Sequence, residues 1–288
     1  MSLAQVSPIS HFDHQIRPAQ TVVANRTVEG ELVFLDPNSP EPVSIYRNGV
    51  DGFERTGTYQ NVRLPIRDMR AIDPTLDVEG FALREVPTAV TDFLDEDQIR
   101  DVYNDEIERL IKAETGATNV VIFDHTVRIE TEDNEAAGHR TPVKMVHNDY
   151  TEKSGPQRVR DLLPADEAEA WLAGRFAQIN VWRPLRGPVR SKPLALADAQ
   201  SVLPSDLVAV DLVYPDRVGE IYHTTYSPGQ RWFYAPEMTA NEVLLIKGYD
   251  SAHDGRARFS PHTAFDLADR NAPPRESIEV RAIVSFAT

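Results

Sequence analysis

The strongest constraint on the fold of this chain is its punctuation. Proline, at 21 residues, and glycine, at 14, are scattered along all 288 positions. Between them stand short runs rich in β-branched and aromatic side chains, and each run bounded by turn-forming residues reads as a strand. From residue 119 onward there are nine such runs: 119–129, 142–147, 176–182, 207–213, 220–226, 231–235, 242–247, 258–265 and 277–286. Nine short strands at close spacing predict a mainly β fold, an antiparallel barrel or jelly-roll sandwich with helices packed outside it. No Pro-rich linker divides the chain and no repeat of fixed period occurs, so a single domain over 1–288 is expected.

Before residue 119 the pattern changes. The first ~25 residues form a polar arm, and 29–46 reads as two strands broken by Asp36-Pro37-Asn38-Ser39-Pro40, expected to cover or edge a sheet. From Asp95, apolar Ile99, Val102, Ile107, Leu110 and Ile111 recur at helical spacing behind an acidic first turn, and Gly116 is the stop. Shorter helices are expected at 155–163 and 165–173, after Ser154 and Pro164. Residues 1–118 are thus expected to flank a β core at 119–288 and to supply loops that could cover it.

Charge and cysteine usage exclude several functions. Lys plus Arg number 30 against 45 Asp plus Glu, a net charge of −15 that phosphate backbones and anionic lipids would repel. The chain has no cysteine, which removes disulfides, thiolate zinc, iron–sulfur clusters and a cysteine nucleophile. A metal would therefore need His, Asp or Glu. The amino terminus lacks the basic start and apolar core of a signal peptide, and no run reaches ~18 apolar residues. A cytoplasmic protein acting on a small molecule is expected, with neither nucleic acid nor membrane as partner and with a homodimer left open. Dinucleotide, phosphate-loop, nucleophile-elbow and zinc-helix motifs are all absent.

The eight histidines carry the remaining signal. His147-Asn148-Asp149 ends an apolar run, and on a strand residues i and i+2 share a face, so His147 and Asp149 can converge on one ion while Asn148 faces away. Two histidines and a carboxylate with open positions form the facial triad of non-haem iron(II) oxygenases. The triplet His11-Phe12-Asp13 has the same spacing but lies in the polar arm. For a third ligand, His262 is central to a strand, whereas its rival His253 sits in a polar turn. The last strand alternates: Ile278, Val280, Ala282, Val284 and Phe286 make an apolar face, while Arg275, Ser277, Glu279 and Arg281 fall on the other. That polar face either lines a cavity or is a solvated exterior with a Glu–Arg pair. If it lines a cavity, the forked guanidinium and neighbouring hydroxyl suit a dicarboxylate.

These residues carry a family likeness. His147-x-Asp149, His262 and Arg275-x-Ser277, with the runs FDHTVR, VHNDYT, NVWRPL, RWFYAPEM, KGYDS, PHTAF and PRESIEVRA, resemble the iron(II)- and 2-oxoglutarate-dependent dioxygenases. Within that superfamily they are most similar to the mainly fungal secondary-metabolism branch that includes a gibberellin desaturase and a meroterpenoid endoperoxidase. The likeness spans about residues 119–288. It implies a double-stranded β-helix core, of the jelly-roll or cupin-like kind. It further implies iron(II) held by His147, Asp149 and His262, with 2-oxoglutarate and dioxygen as cosubstrates. The far carboxylate of 2-oxoglutarate would rest on Arg275 and Ser277. Arg281, six residues and about 20 Å of strand further on, is the alternative anchor. The implied reaction is oxidation of an unactivated C–H bond by hydroxylation, desaturation, cyclisation or endoperoxidation.

Tyr150, Trp182, Tyr222 and Trp232 are candidate substrate contacts, although such rings more often pack in cores. His125 and His223 are expected on sheet faces in structural roles. Two other readings use the same residues: a cupin-like isomerase or hydrolase that needs no 2-oxoglutarate, and a non-catalytic module in which His147 and Asp149 are structural.

Overall fold

The computed structural model describes residues 17–18, 26–40, 43–47, 53–129, 142–269 and 271–287. In chain order its strands are β1 (Arg17–Pro18), β2 (Thr27–Leu35), β3 (Ser44–Arg47), β4 (Phe53–Arg55), β5 (Tyr59–Asp68), β6 (Phe81–Glu85), β7 (Asn119–Ile129) and β8 (His147–Asn148). They continue as β9 (Phe176–Pro184), β10 (Leu194–Ala197), β11 (Leu207–Val213), β12 (Val218–Thr224), β13 (Trp232–Tyr234), β14 (Glu242–Asp250), β15 (His262–Ala264) and β16 (Glu276–Ser285). Two sheets form, in the orders β1-β6-β14-β9-β16-β7 and β2-β5-β13-β10-β15-β8-β12-β11-β3-β4. Neighbours run antiparallel except for β11 with β3 and β13 with β5.

Strands covered on both faces should be buried at every residue, and β9 and β14 are. One face of the six-stranded sheet turns Ala177, Ile179, Val181, Val243, Leu245, Ile278, Val280 and Val284 toward Ile107, Leu110 and Ile111 of the helix Asn104–Thr115. Each fully buried Ile there contributes about 1.5–3 kcal/mol. The helix ends where expected, because Gly116 takes a left-handed φ of 72° and its amide returns to the Lys112 carbonyl. The other face of this sheet brings Trp182, Leu244 and Ile246 against Leu194, Leu196, Phe233 and Ala264 of the ten-stranded sheet. The space between the sheets is where the chemistry sits.

The mainly β, jelly-roll reading holds, with local differences. The segments expected as strands at 142–147 and 258–265 contribute only the short β8 and β15. Residue 145 instead bridges to Val33, and the Val146 amide donates to the Val33 carbonyl, so the chain crosses from one partner to another before it enters β8. Strands β5, β6 and β10 were not expected. β5 contains Pro65, and β10 is the helix-favouring sequence LALA, whose four residues are all buried by the strands on either side. Residues 29–46 do form two strands flanking the Asp36–Pro40 turn, β2 at one edge of the ten-stranded sheet and β3 one strand in from the other edge, between β11 and β4. Residues before 119 also supply β5 and β6, hydrogen-bonded within the two sheets. No helix of the described residues is long and apolar enough to cross a membrane.

Candidate metal centre

β8 is two residues long and lies between β15 and β12, with His147 directly opposite both His262 and His223. Directly opposed residues project from the same face of a sheet. The His147 and His262 rings stand 4.6 Å apart between centroids. The ligand atoms of His147, Asp149 and His262 all lie within 4.8 Å of one another, and His147 Nε2 is 3.5 Å from Asp149 Oδ1.

The hydrogen bonds behind these atoms decide which face inward. His147 Nδ1 donates to the Met145 carbonyl at 2.8 Å, and His262 Nδ1 to the Ser260 carbonyl at 3.0 Å. A carbonyl can only accept, so the proton is on Nδ1 in both rings and each Nε2 keeps its lone pair for a cation. Asp149 is held in the same way: Asn180 Nδ2 at 2.8 Å and Arg281 Nε at 3.0 Å both donate to Oδ2, leaving Oδ1 toward the histidines. Burial pushes the Asp149 carboxyl up, but the Arg281 guanidinium leads the opposing effects, which hold the group well below the usual carboxylate range. Burial, with His147 beside it, pushes His262 down and favours the neutral ring. Two neutral imidazoles and one ionised carboxylate form a donor set that fits iron(II).

Arg281 is also engaged elsewhere. Its Nη1 donates to Asp124 at 2.7 Å and its Nη2 to Glu279 at 2.6 Å, so three carboxylates surround one guanidinium. Arg275 lies apart from it, buried, with Nη1 on the Lys192 carbonyl at 2.7 Å and its guanidinium 5.5 Å from the Trp182 ring. Ser277 is 1% exposed, and its Oγ has no hydrogen-bond partner among the described residues. A buried hydroxyl without a partner costs about 1–3 kcal/mol, and the end of a dicarboxylate would satisfy it. The polar side of the last strand therefore faces inward, since its apolar side is packed against the helix.

The other sequence candidates fall elsewhere. His253 is not among the clustered ligand atoms. His125 Nε2 pairs with Asn104 Oδ1 at 2.7 Å, joining a strand to the covering helix. Trp232 faces Phe34 in a separate cluster, and Tyr150 packs with Trp171, Phe176 and Tyr249. Tyr222 stands edge-on to Phe259. Trp182 is the one of the four aromatic candidates that shares the inner cluster. His11, Asp13, His14 and His139 lie outside the described residues.

Three side chains with no expected part in the site shape it: Asn148, read as facing away, His223, read as a structural histidine on a sheet face, and Asn180. Asn148, fully buried, donates to the Tyr150 and Gly248 carbonyls at 2.7 and 2.8 Å and accepts from the Ser260 amide at 3.1 Å. Asn180 is opposite Arg281 in the sheet and meets it at Asp149. His223 is 1% exposed, and its Nδ1 lies 3.0 Å from the Tyr59 hydroxyl. Burial first, then His147 and Arg55, bring its pKa down to about 3. Strand alternation was the available signal for His223, because it falls on the face that Tyr222 does not.

Comparison with known proteins gives consistent results. A family model described as an oxidoreductase/YMDC permease-like domain matches residues 32–285. The hydroxylase/desaturase efuI of Hormonema carpetanum is 34% identical over 287 residues, covering 91% of this chain and 96% of that protein. The Fe(II)/2-oxoglutarate-dependent dioxygenase nvfI of Aspergillus novofumigatus is 30% identical, covering 91% and 99%. A solved structure of the iron and alpha-ketoglutarate-dependent endoperoxidase NvfI superposes with a TM-score of 0.79 at 28% identity, over 91% of this chain and 99% of that one.

Proposed function

This chain belongs to the iron(II)- and 2-oxoglutarate-dependent dioxygenases, and on that premise we propose that His147, Asp149 and His262 hold its iron while Arg275 and Ser277 hold 2-oxoglutarate. The observation that carries the reading is the shared orientation of three donor atoms, each fixed from behind by a hydrogen bond to its other polar atom. Bound iron with 2-oxoglutarate supplies dioxygen-dependent oxidation of an unactivated C–H bond, converting 2-oxoglutarate to succinate and carbon dioxide.

The protein's own residues prepare for that chemistry. Asn180 and Arg281 occupy Asp149 Oδ2, so the carboxylate offers the metal one oxygen and the protein three ligands in all, leaving positions for small molecules. Arg275 provides the fixed charge for the far carboxylate, and Ser277 Oγ a hydrogen bond beside it. Arg281 is the weaker candidate for that role because its guanidinium already serves Asp149, Asp124 and Glu279. Membership in a family that uses 2-oxoglutarate also argues against the cupin-like isomerase or hydrolase. By analogy with the hydroxylase/desaturases and the endoperoxidase, the substrate is a small molecule of secondary-metabolite biosynthesis.

The test is anaerobic titration of metal-free protein with iron(II) and then 2-oxoglutarate, read by the visible charge-transfer absorption of an iron–keto-acid chelate. The expected result is a band that appears with 2-oxoglutarate and is lost in His262→Ala. Iron binding without any effect of 2-oxoglutarate would overturn the assignment of the anchor.

A further inference from the structure

The inner row of the ten-stranded sheet does not stop at the two proposed histidine ligands. It continues one strand further to His223, opposite His147 on β12, which places the two Cβ atoms about 4.5–5.5 Å apart on one face. On the same face, register sets Val208 opposite His223, Val210 opposite Ile221 and Leu212 opposite Gly219. Val208, Leu212, Ile221 and Tyr59 are half-buried around Val210, Ile45 and Leu35. An apolar wall thus runs outward from the metal centre. His223 and Tyr59 are a polar pair upon it.

The pair has a defined polarity. The Tyr59 hydroxyl, 3.0 Å from His223 Nδ1, has no other hydrogen-bond partner among the described residues. A phenol is the stronger donor of the two groups, so it donates to Nδ1 and the ring proton sits on Nε2. Nε2 makes no hydrogen bond among the described residues, which leaves an N–H donor beside the metal centre, with Val208 opposite it in the sheet and the Arg55 guanidinium 4.6 Å from the centroid of the Tyr59 ring. A donor so placed rewards a ligand that brings an acceptor and penalises one that does not.

We propose that His223, oriented by Tyr59, is a substrate-binding residue, and that the substrate class is an apolar molecule bearing a carbonyl or ether oxygen close to the carbon that is oxidised. The inference rests on the metal-centre reading above, and extends it to His223, which is neither a proposed iron ligand nor a proposed contact of 2-oxoglutarate. Both members of the pair lie at specific positions: His223 one residue beyond Tyr222, and Tyr59 at the start of β5, from the part of the chain that precedes the strands bearing the ligands.

The experiment compares tetralin with 1-tetralone, two probes of one skeleton that differ by a carbonyl. Protein loaded with Mn(II) and 2-oxoglutarate is titrated with each, and binding is read from the metal-induced relaxation of probe protons by NMR. The expected result is that 1-tetralone binds about fivefold more tightly than tetralin, the ratio one neutral hydrogen bond provides. His223→Leu should bring that ratio to about one. Tyr59→Phe, which keeps the ring and hence the packing, should reduce it by freeing the imidazole to turn. A ratio unchanged in both variants, or no relaxation of either probe in wild-type protein that does bind Mn(II) and 2-oxoglutarate, would overturn the assignment of His223 alone. Failure of wild-type protein to bind Mn(II) would instead remove the metal-centre reading and this inference with it.

Discussion

Asn148 and Ser260 join the two halves of the candidate centre: Asn148 Oδ1 accepts the Ser260 amide at 3.1 Å, and the carbonyl of the same Ser260 accepts His262 Nδ1 at 3.0 Å. The residue between His147 and Asp149 thereby positions the histidine more than a hundred places away. Its amide nitrogen also ties the Tyr150 and Gly248 carbonyls, so strand β8, although only two residues long, cannot shift. Replacing Asn148 with Ala leaves these three buried backbone groups unpaired, at about 1–3 kcal/mol each. We expect Asn148→Ala to bind Mn(II) about 10–100-fold more weakly, measured by EPR titration on protein shown by circular dichroism to be folded. Unchanged metal affinity would mean that Asn148 supports only the fold.

Arg275, just before β16, and Arg281 within it should separate cleanly. Arg275→Ala is expected to weaken 2-oxoglutarate by about 10–150-fold, the value of one hydrogen bond to a charged group, with metal affinity unaltered. Arg281→Lys should do the reverse, since a lysine cannot reach Asp149, Asp124 and Glu279 with one planar fork. Calorimetric titration of Mn(II), then of 2-oxoglutarate, reads both constants on each variant. The opposite pattern would transfer the anchoring role to Arg281.

Asp250 offers a prediction about pH. It is fully buried, with Arg175 on both of its oxygens at 3.2 and 2.7 Å and Lys247 at 3.0 Å. Burial raises its pKa, but Arg175 and Lys247 outweigh burial and leave the carboxyl below its ordinary value. A depressed folded pKa means that the unfolded chain takes up the proton first as pH falls. The stabilisation is therefore complete above about pH 4 and is lost as pH falls through the folded value. Asp250→Asn should destabilise the protein by about 3–5 kcal/mol at pH 7 and by clearly less at pH 3, measured by urea denaturation at both. A gap of equal size at the two pH values would refute the charge argument.

The sequence was most readable where one residue pattern has one physical meaning. Alternation in 277–286 separated the apolar side of β16 from the side carrying Ser277, Glu279 and Arg281. His147 and Asp149 do come together as their spacing suggested, although β8 ends at Asn148 and Asp149 reaches the site from the bend after it rather than from a shared strand face. The helix behind the sheet was legible for the same reason, from Ile107, Leu110 and Ile111 to Gly116. What could not be read depends on register between distant strands. Nothing near His223 marks it as the neighbour of His147, because that pairing is set by β12 lying beside β8. Nor could Asn180 be seen to meet Arg281 at Asp149 before β9 and β16 were aligned. Tyr222 illustrates the cost: an aromatic ring marks it as a candidate contact, while register puts it opposite Asn148 and puts His223 opposite His147.

The metal should also act as a folding ligand. His147 belongs to β8, His262 to β15 and Asp149 to the turn after β8, so an ion held by all three ties neighbouring strands in the folded chain and finds no such set in the unfolded one. At a free Mn(II) concentration of 100 times its dissociation constant, linkage gives about 2.7 kcal/mol of added stability, which for a chain of this size is a rise in Tm of several degrees. Addition of a chelator should return Tm to the metal-free value. Asp149→Ala should melt at one temperature with or without Mn(II), because it removes the single anionic donor and leaves Arg281 and Asn180 facing the gap. Thermal denaturation at several Mn(II) concentrations checks this without any substrate. A metal-dependent rise that persists undiminished in Asp149→Ala would show that the stabilising ion sits elsewhere.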